Sequence, residues 1–505
     1  MSRDRARIAS YHRSRANAEA IDDRTWSDLD LDDVVAALDT CRSGAGEQLL
    51  YDIVRTPRFD RETLHAREAQ LSRVVTQRGP IARELESLRK ADLYDVHQLF
   101  TGELPDRPRF PLIFPLISLL SILSVASVFL IPQAIFLAIT MALVTFSVYF
   151  TYRRRIYAFI QPVSVLKRLL DAGDRIARVL DDEPLRRAVG ALAPLRATAR
   201  WLFLEQFQSD NLVSMLYQYF NMFLLLDVNA FVFSLETIRN RRDALETLFL
   251  SVGTIDALLA VADFRASRTV CEPSFLEREK EARFTGIVHP LLDDGVANDI
   301  DIRGRGILVT GSNMSGKTTF LRTLGVNAVL AQTIHTAVAH EYAAPFLRVR
   351  TSIGKADSLL EGKSYYLREV DDIGALVAAS SESRAHLFIV DELFRGTNTR
   401  ERVAAGCAVL RHLNRGPHLV LASTHDLELV ALLADSYEFH HFSEQVSDGD
   451  LLFDYRLKSG PSSTRNAIAI LEMRGFPESL VEQARELAGG DPGAGSEAHR
   501  LKGSQ

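Results

Sequence analysis

From Phe110 to Tyr152 the chain carries no charged residue, a run of 43 positions. One helix needs about 20 apolar residues to cross the hydrocarbon core of a bilayer, so this run is long enough for two. Ile131-Pro132-Gln133 supplies a tight turn midway. Arg107 and Arg109 precede the run and Arg153, Arg154 and Arg155 follow it at once. Basic residues on both flanks put both ends on the cytoplasmic side. The alternative is a pair of helices buried in a large soluble core, but such helices rarely run so long without a charge. The pattern therefore predicts a transmembrane helical hairpin over 110–152, anchored in the cytoplasmic membrane.

The rest of the 505 residues is of ordinary globular composition, with 47% hydrophobic and 25% charged residues, and its length predicts two to four domains. A net charge of −6 gives no general pull toward nucleic acid or anionic lipid. Cys41, Cys271 and Cys407 lie far apart with no metal-ligand spacing, which fits a reducing compartment. Five arginines between Met1 and Arg15 read as a solvated, frayed arm, with a contact to phosphate groups as the alternative. From Thr25 to Tyr94 apolar residues recur at helical spacing, with Leu38, Leu49, Leu50, Ile53 and Val54 facing a core. Ile160 to Phe264 reads as several long helices. In it, Met222 to Phe233 is apolar apart from Asp227 and Asn229, which makes it a core helix, or alternatively a third membrane contact.

Near Glu281 the texture changes. Short buried runs, Gly306 to Thr310, His386 to Val390 and His418 to Ser423, alternate with helical stretches, which predicts a parallel sheet covered on both faces. The division that follows is a basic arm (1–24), two parts of a helical core domain (25–109 and 153–280) flanking the hairpin (110–152), an α/β domain (281–488), and a disordered tail (489–505).

Three strings in the α/β domain carry chemistry. Gly311-Ser312-Asn313-Met314-Ser315-Gly316-Lys317-Thr318 fits G-x-x-x-x-G-K-[ST] between a strand and a helix. Glycines let backbone N–H groups turn toward phosphates, and the helix N-terminus adds its positive dipole end. Lys317 would reach the β- and γ-phosphates of ATP, the Thr318 hydroxyl would bind Mg²⁺, and Thr319 completes the cradle. Leu387-Phe-Ile-Val-Asp391-Glu392 is a buried strand ending in two carboxylates. Asp391 would hold the Mg²⁺ shell, and Glu392 would orient and deprotonate the attacking water. Leu419 to His425 is a further strand, whose His425 would sense the γ-phosphate; a structural histidine is the alternative.

At these residues the chain resembles the ATPase domain of the MutS DNA mismatch-repair family, a branch of the ABC-type P-loop ATPases. Thr310 to Thr318 is similar to the family's TGPNMGGKS, Asp391 to Thr399 to its DEIGRGTST, and Ala422 to His425 to its ATH. Gly362 to Glu369 resembles its STFxxEM segment, which implies that Ser364 completes the ATP site of a neighbouring subunit in a homodimer. The resemblance also implies a helix-turn-helix dimerisation element near Pro461 to Ala484. It places Tyr455 against the adenine ring, with the opposite stacking position falling near Gly295-Val296. Leu38 to Leu50 and Val54 to Pro57 resemble the start of the family's helical lever domain. Two departures bear on function: the chain begins at the core domain with no segment for the Phe-x-Glu mismatch wedge, and it carries the hairpin.

The expectation is a membrane-anchored, MutS-like ATP hydrolase with its ATPase domain in the cytoplasm. ATP binding would close a dimer and move the lever arms, with DNA a candidate partner and protein partners unknown. The alternative is a mismatch-repair protein that binds mismatched or branched DNA through its helical arms. That would need a basic surface, for which Arg239-Asn-Arg241-Arg242 is the dense candidate, although a solvated helix face is the simpler reading. Two membrane helices are few for a transporter's substrate path.

Overall fold

The computed structural model describes residues 4–106, 108–196, 219–312, 315–354, 365–447, 450–462, 468, 471–472 and 474–489. Its contacts divide the chain into two units. One comprises residues 1–22, 31–270 and 329–336; the other comprises 23–30, 271–328 and 337–505. Arg107, the side chains of Arg153, Arg154 and Arg155, the segment holding Ser364 and the tail from 490 lie outside what the structure describes.

The first unit is helical. Its axis is the Arg242–Ala266 helix, which packs on the helices Gly44–Arg55, Arg61–Thr76 and Glu183–Ala191. Side-chain caps set the starts of these helices. Ser43 Oγ accepts from Gly46 N–H (3.0 Å), Asp60 from Thr63 N–H (2.7 Å) and Asp182 from Leu185 N–H (2.9 Å). Asp256, fully buried on the axial helix, reaches the same start. Its carboxylate accepts from Ser43 N–H (2.8 Å) and Ser43 Oγ (2.7 Å) and from Arg42 N–H (3.0 Å). Burial nevertheless pushes its pKa up to about 6.

The N-terminal arm differs from its expected frayed state. Arg5–Ile8 and Ser10–Arg13 are helical, and Tyr11 is buried against Phe100 and Phe249. Arg5 pairs with Asp33, and Arg7 with Asp92 and Asp95. The arginine count suggested solvation, but Ile8, Ala9 and Tyr11 form a ridge that docks, and Arg5 and Arg7 find acidic partners on the same unit.

Arg242–Ala266 is long and apolar enough to cross a membrane, yet 67% of its apolar window is buried inside the protein, so it is a core helix. The stretch Pro132–Tyr152 has the opposite character, with mean hydropathy 2.0 and 6% buried. It forms most of the apolar part of the Ile135–Ser164 helix, which packs on Ile113–Val128 across a short turn. Asp227 and Asn229, which interrupt the apolar patch before Phe233, belong to the Leu226–Asn240 helix. There Asn221 Oδ1 accepts from Asp227 N–H at 2.9 Å, and Asn229 Nδ2 donates to Ser118 Oγ at 2.9 Å. In the basic cluster, Arg239 donates to the Pro105 carbonyl (2.9 Å) and Arg242 to that of Gly102 (3.2 Å). These guanidinium groups clamp loops of the unit.

The second unit is α/β. Its strands are β1 (Ser274–Phe275), β2 (Glu281–Ile287), β3 (Asn298–Arg303), β4 (Gly306–Thr310), β5 (Glu341–Ala344), β6 (Arg348–Ile353), β7 (His386–Asp391), β8 (Leu419–Thr424), β9 (Tyr437–His441), β10 (Glu444–Ser447), β11 (Asp450–Phe453) and β12 (Lys458–Ser459). A six-stranded sheet runs β12-β9-β4-β8-β7-β6, parallel throughout except for the edge strand β12. Every residue of β4, β7 and β8 is buried, as a sheet covered on both faces requires. Phe388, Val390, Val420 and Ala422 pack with Ile373, Leu376, Val403 and Leu410 from the helices Tyr365–Ala379 and Thr399–Leu413. Ile389 faces the Lys317–Thr333 helix near Gly325.

A second sheet, β1-β5-β2-β3, and the hairpin of β10 with β11 complete the described strands. The second sheet has antiparallel pairs β2–β3 and β2–β5 and was not anticipated from sequence. Nor was the placement of residues 23–30. Asp28 accepts from Thr351 Oγ1 (2.8 Å) and Ile353 N–H (3.0 Å), tying the Asp23–Asp28 helix to β6 at the open edge of the large sheet.

Candidate nucleotide site

Strand order brings the three strings together. β4, β8 and β7 are neighbours, with Thr310 opposite Thr424 and Asp391 opposite Ser423, so their carboxyl ends form one rim. Gly311 (φ +134°) and Gly316 (φ +104°) take backbone conformations that side chains resist, and a Cβ on Gly311 would lie 2.6 Å from the Phe442 carbonyl. The loop from β4 can therefore curl over the start of the Lys317–Thr333 helix.

Lys317 is a buried cation, 2% exposed. Its Nζ donates to the carbonyls of Gly311 and Ser312, each at 2.7 Å, and stands 3.9 Å from Glu392 Oε1. Burial lowers its pKa, while Glu392 and Asp391 pull it back up. The Thr318 hydroxyl donates to Asp391 Oδ2 at 2.8 Å, and Ser423 Oγ donates to Asp391 Oδ1. Glu392 sits at φ +55° immediately after β7, its N–H bonded to Ser423 O at 3.1 Å. That strained turn aims the carboxylate across the rim. Its Oε1 lies 3.6 Å from His425 Nδ1, and its Oε2 lies 3.0 Å from Arg395 Nε. The sequence-predicted residues Gly311, Ser312, Ser315, Gly316, Lys317, Thr318, Asp391, Glu392 and His425 thus converge. Asn313, Met314 and Ser364 lie outside the described residues.

Beside the loop is a cavity of about 580 Å³ lined by His289, Leu291, Leu292, Val296, Asn298, Gly316, Thr318, Thr319, Phe442 and Tyr455, among others. Tyr455, half exposed at φ +50°, stands over Gly316, and a Cβ there would meet its ring at 3.2 Å. The wall near Gly295-Val296 is aliphatic, built of Leu291, Leu292 and Val296 rather than an aromatic ring. His289 is kept neutral, with burial lowering its pKa to about 4.

Several contributors carry no sequence-assigned role. Ser423 and Arg395 lie inside the quoted strings and both touch Asp391, Arg395 at 3.4 Å. Arg402 grips Asp426, next to His425, through two bonds of 2.8 and 2.7 Å. Asn298 donates to Tyr455 O (3.1 Å) and accepts from Leu457 N–H (2.7 Å), which fixes the segment carrying the tyrosine. Ser312 Oγ donates to Glu444 at 2.6 Å. For Arg402, Asn298 and Glu444 no local pattern could have given the pairing, because each partner is distant in sequence.

The donors fit the groups expected of them. Thr318 and Asp391 offer hard oxygens suited to Mg²⁺. The glycine-turned loop at a helix start, with a buried lysine, suits phosphate oxygens.

A glycine-rich loop from a buried parallel strand to a helix, facing carboxylates at adjacent strand ends, defines the class of α/β nucleotide-binding domains. Residues 307–489 match the family model for MutS domain V. The chain is similar to the DNA mismatch repair protein MutS of Thermus thermophilus, 32% identical over 50% of this chain and 31% of that protein. It is similar also to MutS of Listeria monocytogenes, 32% identical over 50% and 30%, and to DNA mismatch repair protein MutS 2 of Haloarcula marismortui, 29% identical over 52% and 30%. The chain thus carries, over residues 307–489, a stretch that matches MutS domain V. It spans about a third of the length of these relatives, 30 to 31%.

Proposed function

We propose that this chain is a membrane-anchored ATP hydrolase of the MutS kind, in which ATP binding closes a homodimer through the ATPase domains and the helical unit acts as the lever. The convergence of Lys317, Thr318, Asp391, Glu392 and His425 on one rim beside the Tyr455 cavity carries this reading.

Lys317 meets the negative charge of the β- and γ-phosphates. Thr318 and Asp391 would hold Mg²⁺, which would supply charge neutralisation to the phosphates. Glu392, oriented by Arg395 and the strained turn, accepts the proton of the attacking water. His425 faces Glu392 from the next strand end and holds the water's position. Tyr455 stacks on the base from one side only, with aliphatic contact from the other. Ser364 is assigned to the partner's site by resemblance alone. The 110–152 hairpin anchors the chain in the cytoplasmic membrane, with the ATPase domain on the cytoplasmic side.

The relatives' name, DNA mismatch repair protein, favours a second reading in which the helical arms bind mismatched or branched DNA. ATP turnover of the purified chain, measured with and without homoduplex, mismatched and branched DNA, separates the two. Stimulation by one DNA structure supports the repair reading. A rate indifferent to all three leaves an ATPase whose partner is protein or lipid.

A further inference from the structure

The hairpin's turn has a chemistry of its own. Phe129, Leu130, Ile131 and Phe136 are 88, 84, 58 and 74% exposed, and Gln133 is the only polar side chain from Phe129 to Phe136. A loop that reached water beyond the membrane would leave this apolar surface wet, at about 25 cal/mol for each Å².

Most backbone donors of the turn are satisfied internally as well. Hydrocarbon tolerates only backbone whose polar groups are satisfied internally. At this turn the N–H of Phe129 donates to Ala126 O, those of Leu130 and Ile131 to Ser127 O, that of Ala134 to Ile131 O and that of Ile135 to Pro132 O. Pro132 has no N–H to satisfy. Four hydroxyls of the two arms are folded back as well. Ser124 donates to Ser121 O (2.8 Å), Ser127 to Ser124 O (2.7 Å), Thr140 to Phe136 O (2.8 Å) and Thr145 to Ala142 O (3.0 Å).

Length agrees. The first arm, Ile113–Val128, has 16 residues. At 1.5 Å per residue it spans about 24 Å, short of the roughly 30 Å hydrocarbon core.

From these observations, and resting on the membrane anchoring proposed above, we infer that the hairpin is a re-entrant wedge. It enters and leaves through the same face of the membrane, and its turn at Phe129–Phe136 stays in the acyl chains.

The test uses the full chain carrying Gln133→Cys, bound to vesicles of phosphatidylcholine and phosphatidylglycerol. A membrane-impermeant maleimide is either added outside or trapped in the lumen, and the parent chain gives the background from Cys41, Cys271 and Cys407. The inference expects no modification of the new thiol from either side and full modification once detergent dissolves the vesicle. Modification from the lumen would show that the turn crosses, overturning the re-entrant reading while leaving the membrane anchor intact. Modification from outside would show that the hairpin does not insert, and the anchor itself would fall with it. Leu130→Lys supplies an independent readout by vesicle flotation. A lysine held in hydrocarbon should lower the partition coefficient roughly 100-fold, whereas one emerging in far-side water should leave it unchanged and so contradict the inference.

Discussion

Lys317 and Glu392 separate binding from chemistry. The amine of Lys317 is buried among the loop's own carbonyls, so its removal takes away the charge that phosphate would meet. Lys317→Ala should abolish ATP binding, read by nucleotide fluorescence titration. Glu392→Gln keeps the shape and the Arg395-facing oxygen but cannot accept a proton. It should bind ATP normally and lose turnover by about 100- to 10,000-fold. On the proposed reading Tyr455 acts on affinity alone. With no aromatic ring opposite, Tyr455→Ala should raise KM for ATP by about 2- to 10-fold, with kcat unchanged and Tyr455→Phe close to the parent. At this scale most of the site was legible in the sequence. The loop, Asp391-Glu392 and His425 stand in strings whose spacing is dictated by one strand end and one helix start. Ser423 and Arg395 stand in the same strings, yet their contacts with Asp391 follow from strand order, which spacing along the chain does not encode. Asn298, whose partners Tyr455 and Leu457 are far along the chain, required the fold itself.

Among elements, Ser43, Asp60 and Asp182 each cap the helix that follows. The buried runs of β4, β7 and β8 were plain in the sequence, because a strand covered on both faces needs apolar residues at every position. β2 and β3 escaped because one face of each is partly exposed, and their alternation in Glu281–Ile287 and Asn298–Arg303 is short and mixed with charge. The arm at 5–13 escaped because a count of arginines does not show where acidic partners stand. In the helical unit, one buried and one half-buried carboxylate set opposite pH slopes. Asp256 has its pKa raised from 3.8 to about 6, so its contribution to stability is full below about pH 4 and is lost as pH rises through about 6. The difference is worth about 3 kcal/mol. Glu68 runs the other way. Burial raises its pKa, but hydrogen bonds from His335 and from Arg265, the latter two at 2.8 Å, outweigh that and hold it at about 2. Its contribution is present above about pH 4.5 and is lost as pH falls toward 2. Thermal unfolding of Asp256→Asn, followed by circular dichroism from about pH 4 to about pH 7, should show a flatter pH dependence than the parent. Equal slopes would mean that Asp256 does not titrate in this range.

For the whole molecule, the match to MutS domain V covers residues 307–489, and the activity of the much longer relatives comes to this chain as a proposal. The two halves of that proposal are separable. Anchoring predicts that the full chain floats with vesicles and that replacing the exposed apolar residues of 110–152 with polar ones releases it. Dimer closure predicts that Glu392→Gln, with ATP and Mg²⁺, shifts to twice the monomer mass in detergent by light scattering, whereas Lys317→Ala stays monomeric. The charge-free run corresponds to the apolar helices Ile113–Val128 and Ile135–Ser164, whereas the docking of residues 23–30 on β6 was not legible, since it joins segments more than 300 residues apart. The central claim is that the rim between β4, β8 and β7 hydrolyses ATP. Steady-state phosphate release by the purified, detergent-solubilised chain, compared among the parent, Lys317→Ala and Glu392→Gln, addresses it directly. The account predicts Mg²⁺-dependent turnover by the parent and loss of turnover in both variants. Turnover in both variants equal to the parent's would place the chemistry elsewhere and contradict it.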